Sequence, residues 1–356
     1  VFLENGDVLL ANDGGVFEWS QQQVHDRSSG LNIAQGYAIA SHPNVTDKWM
    51  VGTQDNGTNL FSVDQSARIL DGDGFNCFFD PLDLETLYAS SYYGLLYRSD
   101  DGGRTMNNIA TYFSSSGPNE VGAWQTPFQM HPAVPGRIVA AKKSFHFSDD
   151  RGDTWTSWGG MGTVRSSALA LSPMDADVAL VAKNNVLHWK DSNSLTFSVV
   201  DGLPGLQIGG ISIESQDPAS WWVTFSEYEH DTQVWKTTDA GDSWTNVSAG
   251  LPALPVHRII ELPNQQWLCA SDLGVHVWSE AEQSWQDFGT NLPLAPVVDL
   301  EVDMRLHRIL ASTYGRGVWS CPLPEVPEQG AAVTKLHAQD TQCMFTLSGE
   351  PEIQVT

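Results

Sequence analysis

Carboxylates, amides and aromatic rings fall together at a few points along the chain. These are Gln54-Asp55-Asn56-Gly57, Asp71-Gly72-Asp73-Gly74, Tyr92-Tyr93, Trp124, the run Glu227-Tyr228-Glu229-His230-Asp231, and Tyr314 with Arg316. Such mixtures can hold a sugar, with rings stacked on its apolar face, or a protein loop. Cleavage of a glycosidic bond needs two carboxylates about 5–10 Å apart, and the candidates are Asp55, Asp71, Asp73 and Glu227. Each motif also has a plain structural reading. Gln54–Gly57 reads as a tight turn, and so does Asp71–Gly74. Asp71 and Asp73 are the one place where a Ca²⁺ ion is considered, although the distal Glu of an EF-hand loop is missing. No other metal or cofactor is expected, because Cys77, Cys269, Cys321 and Cys343 form no C-x-x-C pair.

Other chemistries find no support. His42 and His131 each precede a proline at a strand end, and no H-E-x-x-H, serine-triad spacing or glycine-rich phosphate loop occurs. A net charge of −25 repels phosphate backbones, so no nucleic-acid partner is expected. No run of about 18 apolar residues is present, so no membrane insertion is expected. Cys77 and Cys269 lie in apolar strand-like runs and read as buried thiols; Cys321 and Cys343 flank a linker and are a candidate pair. The chain opens on VFLENGDVLLAND, without a signal peptide, and stops on EIQVT. It reads as a mature or trimmed piece of a longer extracellular or cell-surface protein.

The elements that position these residues come from a repeat. Ser99–Met106, Ser148–Trp155 and Thr237–Trp244 share the form S/T-x-D-x-G-x-S/T-W, with Met106 replacing Trp in the first copy; weaker copies lie at Ser279–Trp285 and Lys190–Phe197. In this unit Asp101, Asp150 and Asp239 accept backbone N–H bonds across a hairpin turn. A glycine two residues on supplies positive φ, and Trp155 and Trp244 pack the outgoing strand. These residues are therefore structural. Around each copy run short alternating strands, broken by Gly, Pro, Asn and Asp about every dozen residues. Three or four strands per 40–50 residues is the signature of a blade. The sequence predicts an all-β fold, a β-propeller of seven or eight four-stranded blades over residues 1–323. The first and last units look incomplete. They either complement one another as a closing blade, or one belongs to a neighbouring propeller. Residues 324–356 begin with a Pro-rich linker and read as the start of a second β-module.

The boxes place the chain in resemblance with the BNR/Asp-box propellers, which include sialidases, xyloglucanases and sortilins. Asn12-Asp13-Gly14-Gly15-Val16-Phe17, Gly52-Thr53-Gln54-Asp55-Asn56-Gly57-Thr58 and Asp71-Gly72-Asp73-Gly74 resemble the sortilin-like propellers of secreted Bacteroidetes-type proteins. The tail is similar to the start of a type IX secretion sorting domain. In a propeller the boxes lie on one face. Gln54, Asp55, Asn56, Tyr92, Tyr93, Trp124, Tyr314 and Arg316 then lie on the other, the usual ligand face. The arginine triad of a sialidase is missing, and xyloglucanases pair two propellers around a cleft. The sequence alone thus favours a non-catalytic propeller that binds a protein or glycan. A glycoside hydrolase of the xyloglucanase type is the alternative, and a scaffold domain of a large adhesin the third reading.

Overall fold

The computed structural model describes residues 1–324, 344 and 346–349, except 13, 64, 111–118, 160, 229 and 230. It contains eight antiparallel sheets taken in chain order, the first of three strands and the other seven of four. We number the four-stranded sheets as blades 1 to 7. Blade 1 comprises Gly36–Ser41, Trp49–Thr53, Gly57–Ser62 and Gln65–Leu70. Blades 2 to 6 span 77–110, 128–158, 168–200, 208–246 and 256–287. Blade 7 is built from Val297–Asp303, Arg308–Thr313 and Val318–Pro322, completed by Thr346–Gly349.

Burial follows strand position. The second strand of every blade reads as a continuous apolar run because both of its faces meet neighbouring sheets. Trp49–Thr53, Leu87–Ser91 and Trp221–Phe225 are buried at every position. Fourth strands such as Thr245–Asn246 are exposed and polar.

The core is divided into seven clusters, one per seam. Ala40, Met50, Phe79 and Leu87 join blades 1 and 2; Tyr88, Leu96, Phe128 and Ile138 join 2 and 3. Further clusters fill the seams from blade 3 to blade 7. The last joins Leu310 and Val318 of blade 7 to Ile39, Trp49, Val51 and Phe61 of blade 1. The ring therefore closes with seven blades.

Closure decides between the two fates open to the first unit. Val8–Asn12, Gly15–Ser20 and Gln23–Asp26 form their own three-stranded sheet and contribute no residue to any of these clusters. They do not complement the last blade. That blade takes its outer strand from the tail instead: Thr346 pairs with Ser320 and Leu347 with Trp319. Cys321 is disulfide-bonded and Cys77 and Cys269 are free; Cys343 lies outside the described residues.

The three boxes share one geometry. In the box of blade 3, Asp150 Oδ1 accepts the Thr154 N–H at 2.8 Å and Oδ2 accepts the Thr154 hydroxyl at 2.5 Å. Ser148 Oγ donates to Asp150 at 2.7 Å and accepts the Gly152 N–H at 2.7 Å. Asp101 and Asp239 repeat these bonds. Gly152, at φ 97°, needs the backbone freedom expected of it. Hydrogen bonds to the charged form hold all three carboxyls at about 2, led in each case by the Ser or Thr hydroxyl four residues on.

Candidate functional site

Because each box joins a third strand to a fourth, the loops from second to third strand and from blade to blade gather on the opposite face. Two of them meet at the seam of blades 1 and 2. The turn Gln54–Gly57 carries Asp55 at φ 60°. The connection 71–76 lies against it, with Gly57 N bonded to Gly72 O at 2.7 Å and Gly74 N to Thr53 O at 3.0 Å. A Cβ on Gly74 would sit 2.5 Å from both Gly57 O and Thr58 Oγ1, so only glycine allows this approach. Buried Asp73 accepts the Asp55 N–H on Oδ1 at 2.7 Å, while the Asp55 side chain stays exposed. One carboxylate thereby fixes the backbone that presents the other.

Gln54 connects this turn to a ring cluster. Its Oε1 accepts the Tyr37 hydroxyl at 2.8 Å and also the Tyr314 hydroxyl, across the seam where the ring closes. Tyr37 packs on Tyr314 with centroids 5.8 Å apart and on Phe75 at 4.8 Å. Phe75 then meets Trp124 edge-on at 5.8 Å. Trp124 stacks on Tyr92 at 5.8 Å and meets Tyr93 at 5.2 Å. Tyr93, left-handed at φ 60°, takes Trp124 O as acceptor for its N–H at 3.1 Å. Blades 7, 1 and 2 and the connection from blade 2 to blade 3 thus share one aromatic strip, whose outer rings Tyr314, Tyr93 and Trp124 are 36%, 38% and 45% exposed. Burial, then bonding to Tyr314, pushes the Tyr37 hydroxyl above its ordinary range.

The structure therefore brings together Gln54, Asp55, Asp73, Tyr92, Tyr93, Trp124 and Tyr314. Asn56 folds back into its own turn, donating to Gln54 O at 3.3 Å. Arg316 is exposed beyond Tyr314, and its carbonyl accepts the Trp319 indole N–H at 2.7 Å. Asp71 is exposed and ion-paired to Arg68 at 2.9 Å. No group of three or more His, Cys, Asp or Glu side chains able to hold a metal occurs among the described residues. Glu227 sits apart on blade 5, accepting the Gln207 N–H at 2.6 Å. Its neighbour Tyr228 donates to Asp272, which also bonds His257 at 2.7 Å; Glu229 and His230 lie outside the described residues. Two serine-histidine-carboxylate lines form among the described residues: Ser271, His276 and Asp287, whose serine is fully buried, and Ser157, His146 and Glu120, whose serine is exposed while the histidine and carboxylate are buried.

Beyond Trp124 lies an open cavity of about 550 Å³, lined by Lys143, Val164, Arg165, Ser167 and Asn184 among others. Its walls are tied from below. Buried Lys183 donates to Lys143 O at 2.5 Å and Val164 O at 2.8 Å, and Ser166 donates its N–H and hydroxyl to Lys142 O. Glu120 Oε1 accepts the Ser144 N–H at 2.6 Å and contacts His146 Nε2 at 2.9 Å. Burial pulls both Lys142 and Lys183 down to about 8, opposed only by the charge of Glu120. Burial raises the Glu120 carboxyl, yet the bonds from His146 and Ser144 outweigh it and leave the carboxyl below its ordinary range.

Tyr37 and the cavity residues other than Trp124 were not singled out in the sequence. Tyr37 occupies a strand that reads as core, and the one available signal for the cavity was the pair Lys142-Lys143 in a chain with only 18 Lys and Arg.

No protein-family model and no curated protein matches the chain. Solved structures do. The fold is similar to an ancestral GH74 enzyme, at TM-score 0.66 and 10% identity, over 89% of this chain and 48% of that one. It is also similar to the GH74 xyloglucanase from Xanthomonas campestris, at TM-score 0.66 and 15% identity, over 89% of this chain and 55% of that one. The chain thus spans about half the length of each. The likeness establishes a β-propeller. It also overturns the non-catalytic reading favoured by sequence, because both neighbours are described as enzymes of one glycoside hydrolase family. The sequence showed only the lack of a catalytic motif, and paired carboxylates on separate loops leave none.

Proposed function

We propose that the chain is a propeller unit of a secreted glycoside hydrolase of the xyloglucanase-like type, acting on a polysaccharide laid along the aromatic strip. One observation carries this: an exposed carboxylate, Asp55, is fixed by buried Asp73 at the edge of a continuous run of rings from Tyr314 to Tyr93. Rings in such a run offer flat apolar surface to sugar C–H faces, while hydroxyls at their rims bond polar groups. Asp55 is the carboxylate that reaches substrate; Asp73 is a positioning residue acting through the Asp55 N–H. Glycosidic cleavage requires one carboxyl to protonate the leaving oxygen and a second to activate water or to attack; Asp55 supplies one of the two, and the other would come from across a cleft with a second propeller, as in the paired propellers of xyloglucanases. The GH74 likeness supports this class, and the disulfide at Cys321 supports an extracellular setting.

The test is reducing-end release from xyloglucan, mixed-linkage glucan, arabinoxylan and polygalacturonate by the full-length protein. Asp55→Asn should lower kcat by about 10²–10⁴-fold while oligosaccharide binding persists. Turnover unaffected by Asp55→Asn, or no turnover on any glycan, would remove the proposal.

A further inference from the structure

The cavity beyond Trp124 contradicts the electrostatics of the molecule around it. The chain carries a net charge of −25, yet Lys143 and Arg165 line the cavity and Lys142 and Lys183 lie buried beneath it. Arg165 is exposed and, like Lys143, has no carboxylate partner among the described residues, whereas most arginines of the protein are paired with one. Glu120 is the only described carboxylate that acts on Lys142 or Lys183. Its oxygen Oε1 is directed to Ser144 and His146.

Burying ammonium groups costs stability unless their donors are satisfied. Here the burial is organised around the cavity walls. Lys183 clamps the carbonyls of Lys143 and Val164, from two separate lining loops. Lys142 runs under the platform: a Cβ on Gly94, next to Tyr93, would meet its side chain at 2.7 Å. A positive potential is therefore built into a rigid floor beside a half-exposed indole.

We propose that this cavity is a subsite for an anionic sugar residue, its ring against Trp124 and its carboxylate or sulfate held by Lys143 and Arg165. A planar guanidinium matches either oxyanion with two parallel bonds, and Lys143 adds a second charge. Ser167 and Asn184 offer polar groups to sugar hydroxyls. The acids Asp55, Asp71 and Asp73 belong to the loops at the blade 1–2 seam, where Gly72 lies against the Tyr92 ring, and none of them lines the cavity. This assignment deepens the hydrolase reading by naming a charged substrate class on the same face.

The experiment is calorimetric titration of the protein with trigalacturonate, its fully methyl-esterified form, a sulfated disaccharide and cellotriose. Trigalacturonate or the sulfated disaccharide should bind at least tenfold more tightly than its uncharged counterpart, and the tighter of the two identifies the group. Lys143→Gln and Arg165→Gln should each weaken that binding about tenfold without affecting cellotriose; both positions are at the surface, and unchanged Tm confirms folding. Equal affinity for charged and uncharged ligands, or indifference of the double variant, defeats the inference. Since the readout is binding, the subsite survives if no glycan is hydrolysed. Conversely, hydrolysis of neutral glucan without charge preference would refute the subsite and leave the enzyme.

Discussion

At the residue scale, the box aspartates are carboxylates whose charge is used for structure. Each collects a backbone N–H and two hydroxyls within a window of seven residues, Ser148 to Thr154 in blade 3. Those bonds prefer the anion, so the folded pKa of about 2 lies below the ordinary 3.8. The sign follows directly: the contribution is complete above about pH 4 and is lost as pH falls towards 2. Asp239→Asn should therefore lower Tm at pH 7 and show a shallower Tm decline than wild type between pH 4 and 2. Parallel melting curves for the two proteins across that range would exclude the mechanism. Everything in this motif is local, which is why its turn chemistry could be read from Ser148-Asp149-Asp150-Arg151-Gly152-Asp153-Thr154-Trp155. The site is different. Asp55 and Asp73 are 18 residues apart, and Gln54 and Tyr314 are 260 apart. No spacing rule couples them until the blades are placed. Glu227 shows the cost of that gap: it has the right chemistry and loop type, but blade 5 carries it away from the strip.

At the element scale, blades are joined by tryptophans that reach backwards. Trp155 of blade 3 donates its indole N–H to Ile109 O on the outer strand of blade 2, at 3.2 Å. Trp244 of blade 5 reaches Asp201 O just after blade 4, at 3.1 Å, and Trp285 of blade 6 reaches Val247 O just after blade 5, at 2.7 Å. Trp285 belongs to a degenerate copy, Ser279–Trp285, that lacks the aspartate. The inter-blade staple and the turn are therefore separable parts of the repeat. Where Met106 replaces Trp, the side chain packs on the blade 1–2 cluster and offers no N–H. Trp285 is 3% exposed, so Trp285→Ala should destabilise by about 3–5 kcal/mol. Trp285→Phe keeps much of the packing but strands the Val247 carbonyl, and should cost about 1–3 kcal/mol. Urea titrations of both variants measure this, and a Phe variant as stable as wild type would show that the indole N–H contributes nothing. Sequence revealed that the tryptophans pack outgoing strands. It did not reveal that they bind the blade before, because the partner is a backbone carbonyl with no residue signature.

At the scale of the whole molecule, the seam between blades 7 and 1 must be closed by residues far apart in the chain, and carboxylates do it. Asp299 Oδ2 accepts the Ile39 N–H at 3.0 Å, and Glu301 Oε1 accepts both the N–H and the hydroxyl of Ser41, at 3.2 and 2.9 Å. Ile39 and Ser41 belong to the innermost strand of blade 1, whose inner edge has no strand partner, so the acids cap donors that would otherwise be left bare. Glu261 does the same for Ser215 between blades 6 and 5. Burial raises Glu301 to about 7, against the lowering effect of the Ser41 bonds and with help from the neighbouring charge of Asp299. A folded pKa above the ordinary 4.5 favours the fold fully below pH 4.5, and that contribution is lost as pH rises through 7. Glu301→Gln keeps an oxygen for Ser41 and carries no charge. It should match wild type at pH 4 and exceed it on the order of 2 kcal/mol at pH 8. Glu301→Ala, which leaves the Ser41 N–H without its acceptor, should be less stable at both values. Melting temperatures of the three proteins from pH 4 to 8 decide the matter: if the Gln variant gains nothing at alkaline pH, the charge of Glu301 does not oppose closure of the ring.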